Sequence, residues 1–425
     1  MRSIRAPSGR IFSFVRMAVV LLSLSPRSLA AGSPQDLGTV LDGIKELSTY
    51  KDLLKQYPDI LLQLPNYAGI TIVAPNNDAF ANYNGFDPKN QSMVTNMLEY
   101  HILQGTVSTD AIPEGPTTFA STLLTDAAYT NVTGGQKVLI NKQPGDVVVF
   151  TSGAGSRATL VDGDIAFNGG LIQIVDTLMV PPERLEPTTR VAYKDLTAFL
   201  AALYAADLVP TFADAANVTV FAPRNSAFQL LAGTLTNLST DALARVLRYH
   251  IVPGQVLLSP QLTNGTNLTT ACADAAGKPV LARVLRAGNN AYVDRSQIIQ
   301  PDILIANGVI HMVDGVLNPD APGVLPDPAV GTQPPVFPQT GATSTGSRVA
   351  TPFVTALPCT VSCPVPTTSV NVTEQVTSTG SSASRSSSSS SVRTTTSSQG
   401  AAARQTGLVA VAGLLGVGIG LVGVA

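Results

Sequence analysis

The chain has 425 residues, a formal net charge of −2 and only 13% charged residues, which leaves no electrostatic footprint for nucleic acid. Tryptophan is absent and aromatic residues make up 5%, which disfavours an aromatic platform for bases or sugars, although tyrosine could still form one. The length suits two or three domains.

The first 30 residues have the pattern of a secretory signal peptide. An arginine-rich region is followed by the apolar run Met17–Leu24 and by the small residues Ser28 and Ala30, after which we predict cleavage. A membrane anchor is the alternative, but about eight apolar residues are too few for a hydrocarbon core that requires about 20. The mature chain is therefore expected to be secreted.

An internal repeat organises the chain. Gly69–Phe80, GITIVAPNNDAF, aligns without a gap with Asn217–Phe228, NVTVFAPRNSAF. Each begins with alternating β-branched residues, breaks at Ala-Pro and restarts before Ala-Phe, which predicts a buried strand that runs into a helix. We expect Asn77 or Asn225 to cap this helix, because a short side-chain acceptor satisfies free N–H groups there.

Two further blocks recur in the same order. They are Glu99–Val107 with Arg248–Val256, and Asn168–Leu178 with Asn307–Leu317. Three ordered motifs predict two tandem domains, which we place at residues 36–182 and 188–320. The segments between the second and third motifs alternate like strands and are divided by turn residues; they are Val138–Ile140, Val147–Phe150, Val280–Leu285 and Ala291–Val293.

The three blocks, APxNxAF, YHI and NG-(V/L)-I-x-x-VD-x-(V/L)-L, resemble the fasciclin domain. The resemblance implies an α+β fold, with helices packed on a wedge-like β-sheet core, and a role in adhesion; it implies no catalytic residue, cofactor or metal. The first copy departs from the motif, because Gln173 stands at the position of His311 and an extra glycine follows Asn168. The motif residues are Pro75, Asn77, Phe80, Tyr100, His101 and Asp176, and Pro223, Asn225, Phe228, Tyr249, His250, Asn307, Gly308, His311 and Asp314.

Apolar spacing predicts the helices of both copies. Residues 37–47 carry apolar side chains at i, i+3, i+4, i+7 and i+10, which predicts one helix, with 196–203 as its counterpart. His101 and His250 each continue the apolar stripe of a later helix. A buried neutral imidazole bonded to a carbonyl or carboxylate is the favoured interpretation; a partner-binding Tyr-His site and a metal ligand are the alternatives.

The C-terminal part changes composition after Asp320. Residues 321–400 are rich in Ser, Thr and Pro, which predicts a disordered, O-glycosylated stalk. Residues 401–425 end in an uninterrupted apolar run behind small residues and a short spacer, the signal for a glycosylphosphatidylinositol anchor, with Gly400 or Ser398 as attachment residue. A retained single-pass helix is the alternative, but no Lys or Arg follows Leu408.

Modification motifs fit a secreted glycoprotein. The chain has three cysteines, of which Cys359 and Cys363 could close a small disulfide loop and Cys272 is left over. Asn217 abuts the core strand and is the least favoured glycosylation site. The N-glycosylation sequons begin at Asn90, Asn131, Asn217, Asn237, Asn264, Asn267 and Asn371.

No catalytic motif is present, and all three histidines fall in the repeat motifs. Asp162-Gly-Asp164 could bind calcium but is more typical of a turn. We therefore predict a non-catalytic adhesion glycoprotein that contacts proteins or polysaccharides of other surfaces, the matrix or the cell wall. It would lie on the outer face of the plasma membrane of a walled eukaryote such as a fungus. The alternatives are a carbohydrate-binding module, an anchored protein of a vacuole-like membrane and, less favoured, a hydrolase.

Overall fold

The computed structural model describes residues 35–338 and 350–359. The predicted signal peptide, the predicted anchor segment and most of the predicted stalk lie outside these residues. Within the described ranges, no helix is long and apolar enough to cross a bilayer. Two α+β domains follow each other along the chain, which confirms the predicted fold class of two tandem domains.

The first domain is built on a seven-stranded sheet in the order β2-β1-β7-β6-β5-β4-β3. β1, which lies next to the edge strand β2, pairs in parallel with β7, and the other neighbours are antiparallel. A bridge between Leu103 and Thr122 brings the two edges together, so the sheet curls toward a barrel. The strands are β1 (Ile70–Pro75), β2 (Ile102–Gln104), β3 (Thr117–Ser121), β4 (Lys137–Gln143), β5 (Val147–Thr151), β6 (Arg157–Phe167) and β7 (Gly170–Val175).

The second domain repeats this sheet strand for strand. Its order is β10-β11-β12-β13-β14-β8-β9, again with one parallel pair, β8 with β14, next to the edge strand. Each sheet position of the first domain therefore has one counterpart in the second. The strands are β8 (Val218–Pro223), β9 (Ile251–Val252), β10 (Asn267–Ala273), β11 (Pro279–Ala287), β12 (Asn290–Val293), β13 (Ser296–Ile305) and β14 (Gly308–Val313).

Each domain buries one core between its sheet and its helices and a second core inside the curled sheet. The strands β1, β8 and β14 of the two parallel pairs are buried along their whole length between the two cores of each domain. The helices are α1 (Leu37–Gly43), α2 (Ser48–Gln56), α3 (Asp59–Gln63), α4 (Asn77–Asn82), α5 (Gln91–Tyr100), α6 (Leu185–Pro187), α7 (Thr197–Ala205), α8 (Val209–Ala213), α9 (Asn225–Leu230), α10 (Ala232–Leu235) and α11 (Thr240–Arg248).

The single helix predicted over residues 37–47 is wrong. The first helix ends at Gly43, Ile44 is extended with φ −108° and ψ 99°, and a 3-10 turn then leads into α2. An extended residue between two helical segments breaks the hydrogen-bond ladder, although the apolar spacing continues through it. The counterpart of α7 is α2, since each follows a 3-10 turn and precedes the first strand of its domain, β8 or β1.

The two domains dock through polar and apolar contacts. Leu139 of the first domain packs with Leu258, Leu304 and Val309 of the second. Nearby, the Gln136 side chain donates to the carbonyl of Ile305 at 3.1 Å. Because the groups that make these contacts are buried, the pair is held in one arrangement.

An Asn-Thr pair adds a second polar contact between the domains. The Asn217 amide accepts from the N–H of Thr133 at 2.8 Å and donates to the Thr133 hydroxyl at 2.7 Å. Asn131 donates to the carbonyl of Asp214 at 3.0 Å. Two of the predicted glycosylation asparagines, Asn131 and Asn217, are therefore contact residues between the domains.

The segment after the second domain packs on that domain. Phe337 is buried in its helical core, Phe353 and Leu357 pack against the same core, and Thr351 accepts from Gln229 at 3.0 Å. The stalk boundary predicted at residue 320 is therefore too early for residues 321–338 and 350–359. Isolated aromatic and aliphatic side chains within a Pro- and Thr-rich segment are enough to hold it on an apolar surface.

Candidate functional site

The two Tyr-His motifs occupy the same place in both domains, at the end of α5 and of α11. His101 is buried; its Nδ1 donates to the carbonyl of Met97 at 2.8 Å and its Nε2 accepts from the N–H of Met179 at 2.9 Å. His250 is buried in the same way, bonded to Val246 at 2.9 Å and to Leu317 at 3.0 Å. Each ring connects the last turn of a helix to the segment that follows the last strand.

These bonds require neutral imidazoles. A backbone N–H donates to Nε2, so that nitrogen must keep its lone pair. Burial lowers the pKa of His101 and of His250 to about 4, although the carbonyl that accepts from Nδ1 opposes the shift. Both rings are therefore uncharged at neutral pH and have no nitrogen free for a metal or a substrate.

The third repeated position carries His311 in β14 and Gln173 in β7. His311 Nδ1 accepts from the N–H of Asp302 at 3.3 Å, and its Nε2 donates to the carbonyl of Leu257 at 2.8 Å. Gln173 makes equivalent bonds with an amide: its oxygen accepts from the N–H of Asp164 at 3.0 Å and its nitrogen donates to Val107 at 2.9 Å. Imidazole and carboxamide thus serve the same backbone groups.

Ser259, Asp302 and His311 lie close together but are not a catalytic triad. The Asp302 carboxylate accepts from both the N–H and the hydroxyl of Ser259, and it lies 3.9 Å from His311 Nδ1. The carboxylate therefore stands between serine and histidine, whereas nucleophilic catalysis needs the histidine against the serine hydroxyl. Burial lowers the pKa of His311, and the charge of Asp302 only partly opposes this shift.

The first domain provides an internal comparison for this cluster. Thr109 replaces Ser259, Asp164 replaces Asp302 and Gln173 replaces the histidine, with the same bonds from Thr109 to the carboxylate. Burial alone would raise the pKa of Asp164, but hydrogen bonds from Thr109 and Gln173 outweigh it and lower the pKa. Because the same cluster forms without a histidine in the first domain, its role is structural: it stabilises the bulge of β6 or β13.

Asn77 and Asn225 cap helices, but not the ones predicted. Asn77 accepts from the N–H of Thr49 at 3.0 Å, and Asn225 accepts from that of Ala198 at 2.8 Å; both donors lie in the first turn of the preceding helix, α2 or α7. The capping residue of α4 is Asn76, which accepts from Ala79 at 2.8 Å. Each motif asparagine thus connects the strand-helix corner to an earlier helix through a contact that is distant in sequence.

Both motif tyrosines are buried at the ends of their helices. The hydroxyl of Tyr100 donates to the carbonyl of Lys137 at 2.9 Å. The hydroxyl of Tyr249 lies 2.8 Å from the carboxylate of Asp294 and 3.0 Å from the carbonyl oxygen of Leu281, so its one proton is shared between these two acceptors. These bonds connect each helix end to the sheet.

The two motif aspartates have matching roles. Asp176 accepts from the N–H of Thr159 at 2.8 Å, and Asp314 accepts from Gln297 at 2.7 Å. Burial raises the pKa of Asp314, while the hydrogen bond from Gln297 opposes it. Each carboxylate follows the last strand of its domain and bonds to the backbone of the neighbouring strand, β6 or β13.

The remaining motif residues build the strand ends and cores. Pro75 and Pro223 end β1 and β8, and Phe80 and Phe228 lie in the helical cores. A Cβ on Gly308 would lie 1.9 Å from the carbonyl oxygen of Val218, so only glycine allows the two parallel strands to approach there.

The same close approach of two parallel strands shows which glycine of the pair Gly169–Gly170 corresponds to Gly308. A Cβ on Gly170 would lie 2.1 Å from the carbonyl oxygen of Ile70, which makes Gly170 the counterpart of Gly308. The inserted residue is therefore Gly169, whose φ of 114° favours glycine. In the second domain, the side-chain nitrogen of Asn307 donates to Phe212 and Ala215, each at 2.8 Å.

Modification residues divide into exposed and engaged positions. Asn217 is half-buried, with both its amide oxygen and its amide nitrogen bonded to Thr133, and Asn371 lies outside the described residues. The exposed sequon asparagines are Asn90, Asn131, Asn237, Asn264 and Asn267. Among the residues that the structure describes, no group of three or more His, Cys, Asp or Glu side chains could hold a metal ion.

The described cysteines differ in state. Cys272 is a free, buried thiol, and burial raises its pKa. Cys359 is disulfide-bonded. Cys363, Gly400 and Ser398 lie outside the described residues. A buried thiol with a raised pKa is a poor nucleophile, so Cys272 acts as a small core side chain.

The class of this protein follows from the geometry: it is a tandem pair of α+β modules whose repeated polar residues are bonded within each module. The chain belongs to the fasciclin domain family, whose model matches residues 45–181 and 194–319, more than half of the chain. The matched family is not a catalytic one. Its match and the relatives below identify the chain as a fasciclin-type cell-surface or matrix protein.

Several relatives support this membership. A fasciclin-like arabinogalactan protein of Arthroderma benhamiae is 30% identical over 310 residues, 71% of this chain and 70% of that protein. The fasciclin-like arabinogalactan protein elcF of Phaeosphaeria nodorum is 28% identical over 68% of this chain and 91% of its own length. Periostin of Homo sapiens is 24% identical over 61% of this chain but only 29% of periostin.

Solved structures are similar as well. A FAS1 domain pair from the insect cell adhesion molecule fasciclin I is 17% identical, with a TM-score of 0.31 over 64% of this chain and 97% of that one.

Proposed function

We propose that the protein is an adhesion glycoprotein that contacts matrix or cell-wall components through the outer surface of its domain pair. The observation that carries the proposal is the internal bonding of the duplicated motifs. All three histidines of the chain are buried with both ring nitrogens bonded. Recognition therefore falls to the exposed surface, as in a binding protein.

The docked domains favour this role. Buried contacts from Gln136 and Leu139 join the two modules, so the exposed surfaces of both modules are presented together. Several weak contacts on one face add up when many copies are tethered to a surface, because each bound contact raises the effective concentration of the next. Adhesion can then be strong although each contact is weak.

Lipid anchoring is the second part of the proposal. The order of small residues, spacer and apolar tail after Ser398 supports a glycosylphosphatidylinositol anchor at Gly400 or Ser398. Treatment of intact cells with a phosphatidylinositol-specific phospholipase should release the protein, and mass spectrometry of the released C-terminus should identify the attachment residue. Retention on the cells together with an intact residue 425 would contradict the anchor. Immunolabelling of unpermeabilised cells separates the plasma membrane from a vacuole-like membrane.

Glycosylation is the third part. We propose glycans at Asn90, Asn237, Asn264 and Asn267, which are exposed, and none at Asn217, whose amide is bonded within the domain interface. Asn131 is exposed, but its nitrogen donates across the same interface. Peptide mapping of the secreted protein, with and without peptide N-glycosidase, measures the occupancy of each site. Full occupancy of Asn217 would contradict the docked arrangement.

Adhesion itself is tested by comparing cells with and without the protein. A deletion strain should adhere less to a matrix- or wall-coated surface, and re-expression should restore adhesion. The matched control is re-expression of the same chain without residues 36–320, which keeps the signal peptide and the C-terminal segments. Equal adhesion of the deletion strain and the wild type would contradict the proposal.

The catalytic alternative has less support. His311 is bonded to Leu257 and Asp302 rather than to a serine hydroxyl, and the same cluster forms around Gln173 in the first domain. A carbohydrate module built on a cluster of fully exposed tyrosines, as on a flat binding platform, is also disfavoured, because each of the ten tyrosines is buried or half-buried.

A further inference from the structure

A polar cleft of about 450 Å³ lies between the two domains. Asn141 and Arg157 contribute from the first domain, and Tyr193 and Gln300 contribute from the second. The volume falls within the range of small-ligand sites, which is roughly 300 to 1,000 Å³. Because both domains line it, the cleft depends on their docked arrangement.

Three of these side chains have polar groups without a partner. Within the described part of the chain, the Arg157 guanidinium, the Tyr193 hydroxyl and the Gln300 amide make no hydrogen bond to the protein. The Asn141 nitrogen donates to the Thr117 hydroxyl at 2.7 Å, which leaves the Asn141 oxygen available. The cleft thus presents hydrogen-bond donors and acceptors together, on one guanidinium, two carboxamides and one phenol.

The backbone around the cleft is held in place. Gln300 lies in a bulge of β13, where the pairing register with β14 shifts on both sides of it. The bulge is fixed by Asp302, which has a φ of 61° and whose carboxylate accepts from Ser259. On the opposite wall, a Cβ on Gly155 would lie 2.7 Å from the Tyr193 hydroxyl, so glycine leaves room for that ring. Strand bulges of this kind commonly direct a side chain into a binding site.

The corresponding bulge of the first domain differs. There Asp162 takes the place of Gln300, and the register shifts in the same way. Asp162 is exposed and does not line the cleft. The uncharged amide is therefore specific to the bulge that faces the other domain.

We propose that this interdomain cleft binds a saccharide unit. Carboxamide and guanidinium groups are planar and can pair with neighbouring hydroxyls of a sugar ring. The half-buried Tyr193 offers an apolar ring face with a polar end, which suits the C–H face of a sugar. Among the described residues, Arg157 is the only cation that lines the cleft, and the one carboxylate that lines it, that of Asp302, already accepts from the N–H and hydroxyl of Ser259. The ring can therefore be neutral or carry a carboxylate that pairs with Arg157. This inference rests on the proposed cell-wall interaction and names its partner.

The test uses the full-length protein purified in detergent. Calorimetric titration with tetrasaccharides of β-1,3-glucan, chitin, α-mannan and polygalacturonate covers neutral and acidic rings. At least one should bind saturably. Arg157→Ala and Gln300→Ala should each weaken that binding about tenfold, the loss expected for one hydrogen bond in a polar site. Both side chains are exposed and unbonded, so the melting temperature should not change.

Arg283→Ala is the matched control, because Arg283 is also an exposed arginine on a strand and does not line the cleft. It should leave binding unchanged. Absence of binding by all four saccharides would overturn the inference, as would binding that both cleft substitutions leave intact. Preference for polygalacturonate would assign the acidic class, and preference for the others the neutral class. If wild-type cells still adhere while no saccharide binds, the adhesion proposal stands and only the cleft assignment fails.

Discussion

The two domains share one sheet order, yet they differ at a buried position of the last strand, where Gln173 in the first corresponds to His311 in the second. Both side chains accept from a backbone N–H in the strand bulge and donate to a backbone carbonyl of the loop after the Tyr-His motif. A position that accepts either an amide or an imidazole needs hydrogen-bonding geometry, not acid-base chemistry. The chain therefore contains its own control for the role of the histidine.

The largest loss of stability should come from substitution of the histidine that both domains share, His101 or His250. His250→Ala removes a ring and leaves the carbonyl of Val246 and the N–H of Leu317 without partners in a buried site. We expect a loss of about 3 to 5 kcal/mol in the free energy of unfolding, and the same for His101→Ala. Urea unfolding measures this loss, with the exposed substitution Lys278→Ala as control. A loss below about 1 kcal/mol would contradict the buried role.

Acid should destabilise both domains through the same two rings. In the unfolded chain the histidine pKa is about 6.5, whereas burial lowers the pKa of His101 and His250 to about 4. Between these values the unfolded state binds more protons, so the free energy of unfolding falls as pH falls. The loss from pH 7 to pH 5 should be about 2 kcal/mol per histidine, measured by urea unfolding. A stability that is flat over this range would contradict neutral, buried rings.

Exchange of the variable residue sharpens the comparison. His311→Gln should cost less than about 1 kcal/mol, because the first domain bonds the same groups with an amide. His311→Leu should cost about 2 to 4 kcal/mol, because it leaves the N–H of Asp302 and the carbonyl of Leu257 unpaired. Both variants are compared by urea unfolding. If the two cost the same, hydrogen bonding does not explain the Gln-His equivalence.

The smallest effect should come from the cross-helix caps. Asn225→Ala and Asn77→Ala each remove an acceptor for the first turn of α7 or α2, and should cost about 1 kcal/mol in thermal or urea unfolding. Ser226→Ala, next to Asn225 and exposed, is the control. Equal losses of stability in the two domains would support the same capping role for both asparagines. No loss in either domain would contradict that role.

Sequence repeats predicted the fold better than they predicted the bonds. The order and spacing of the three motifs predicted two tandem domains, and their resemblance to the fasciclin domain implied the α+β fold. The individual strands and helix faces could be predicted because they are local patterns. The target of Asn77 could not be read from spacing, since its partner Thr49 lies 28 residues earlier. The stalk boundary was missed because composition averages over a segment, while Phe337 and Phe353 act as single apolar contacts.

The protonation state of the three histidines tests the central claim most directly. Because the chain has only three, their ring proton signals can be followed by NMR from pH 8 to pH 4 in the folded protein. We predict that none of the three titrates near its ordinary pKa, since burial lowers the pKa of His101 and His250 to about 4 and also lowers the pKa of His311. A ring that titrates near its ordinary pKa of about 6.5 would show an exposed histidine, and would contradict the assignment of these residues to the core.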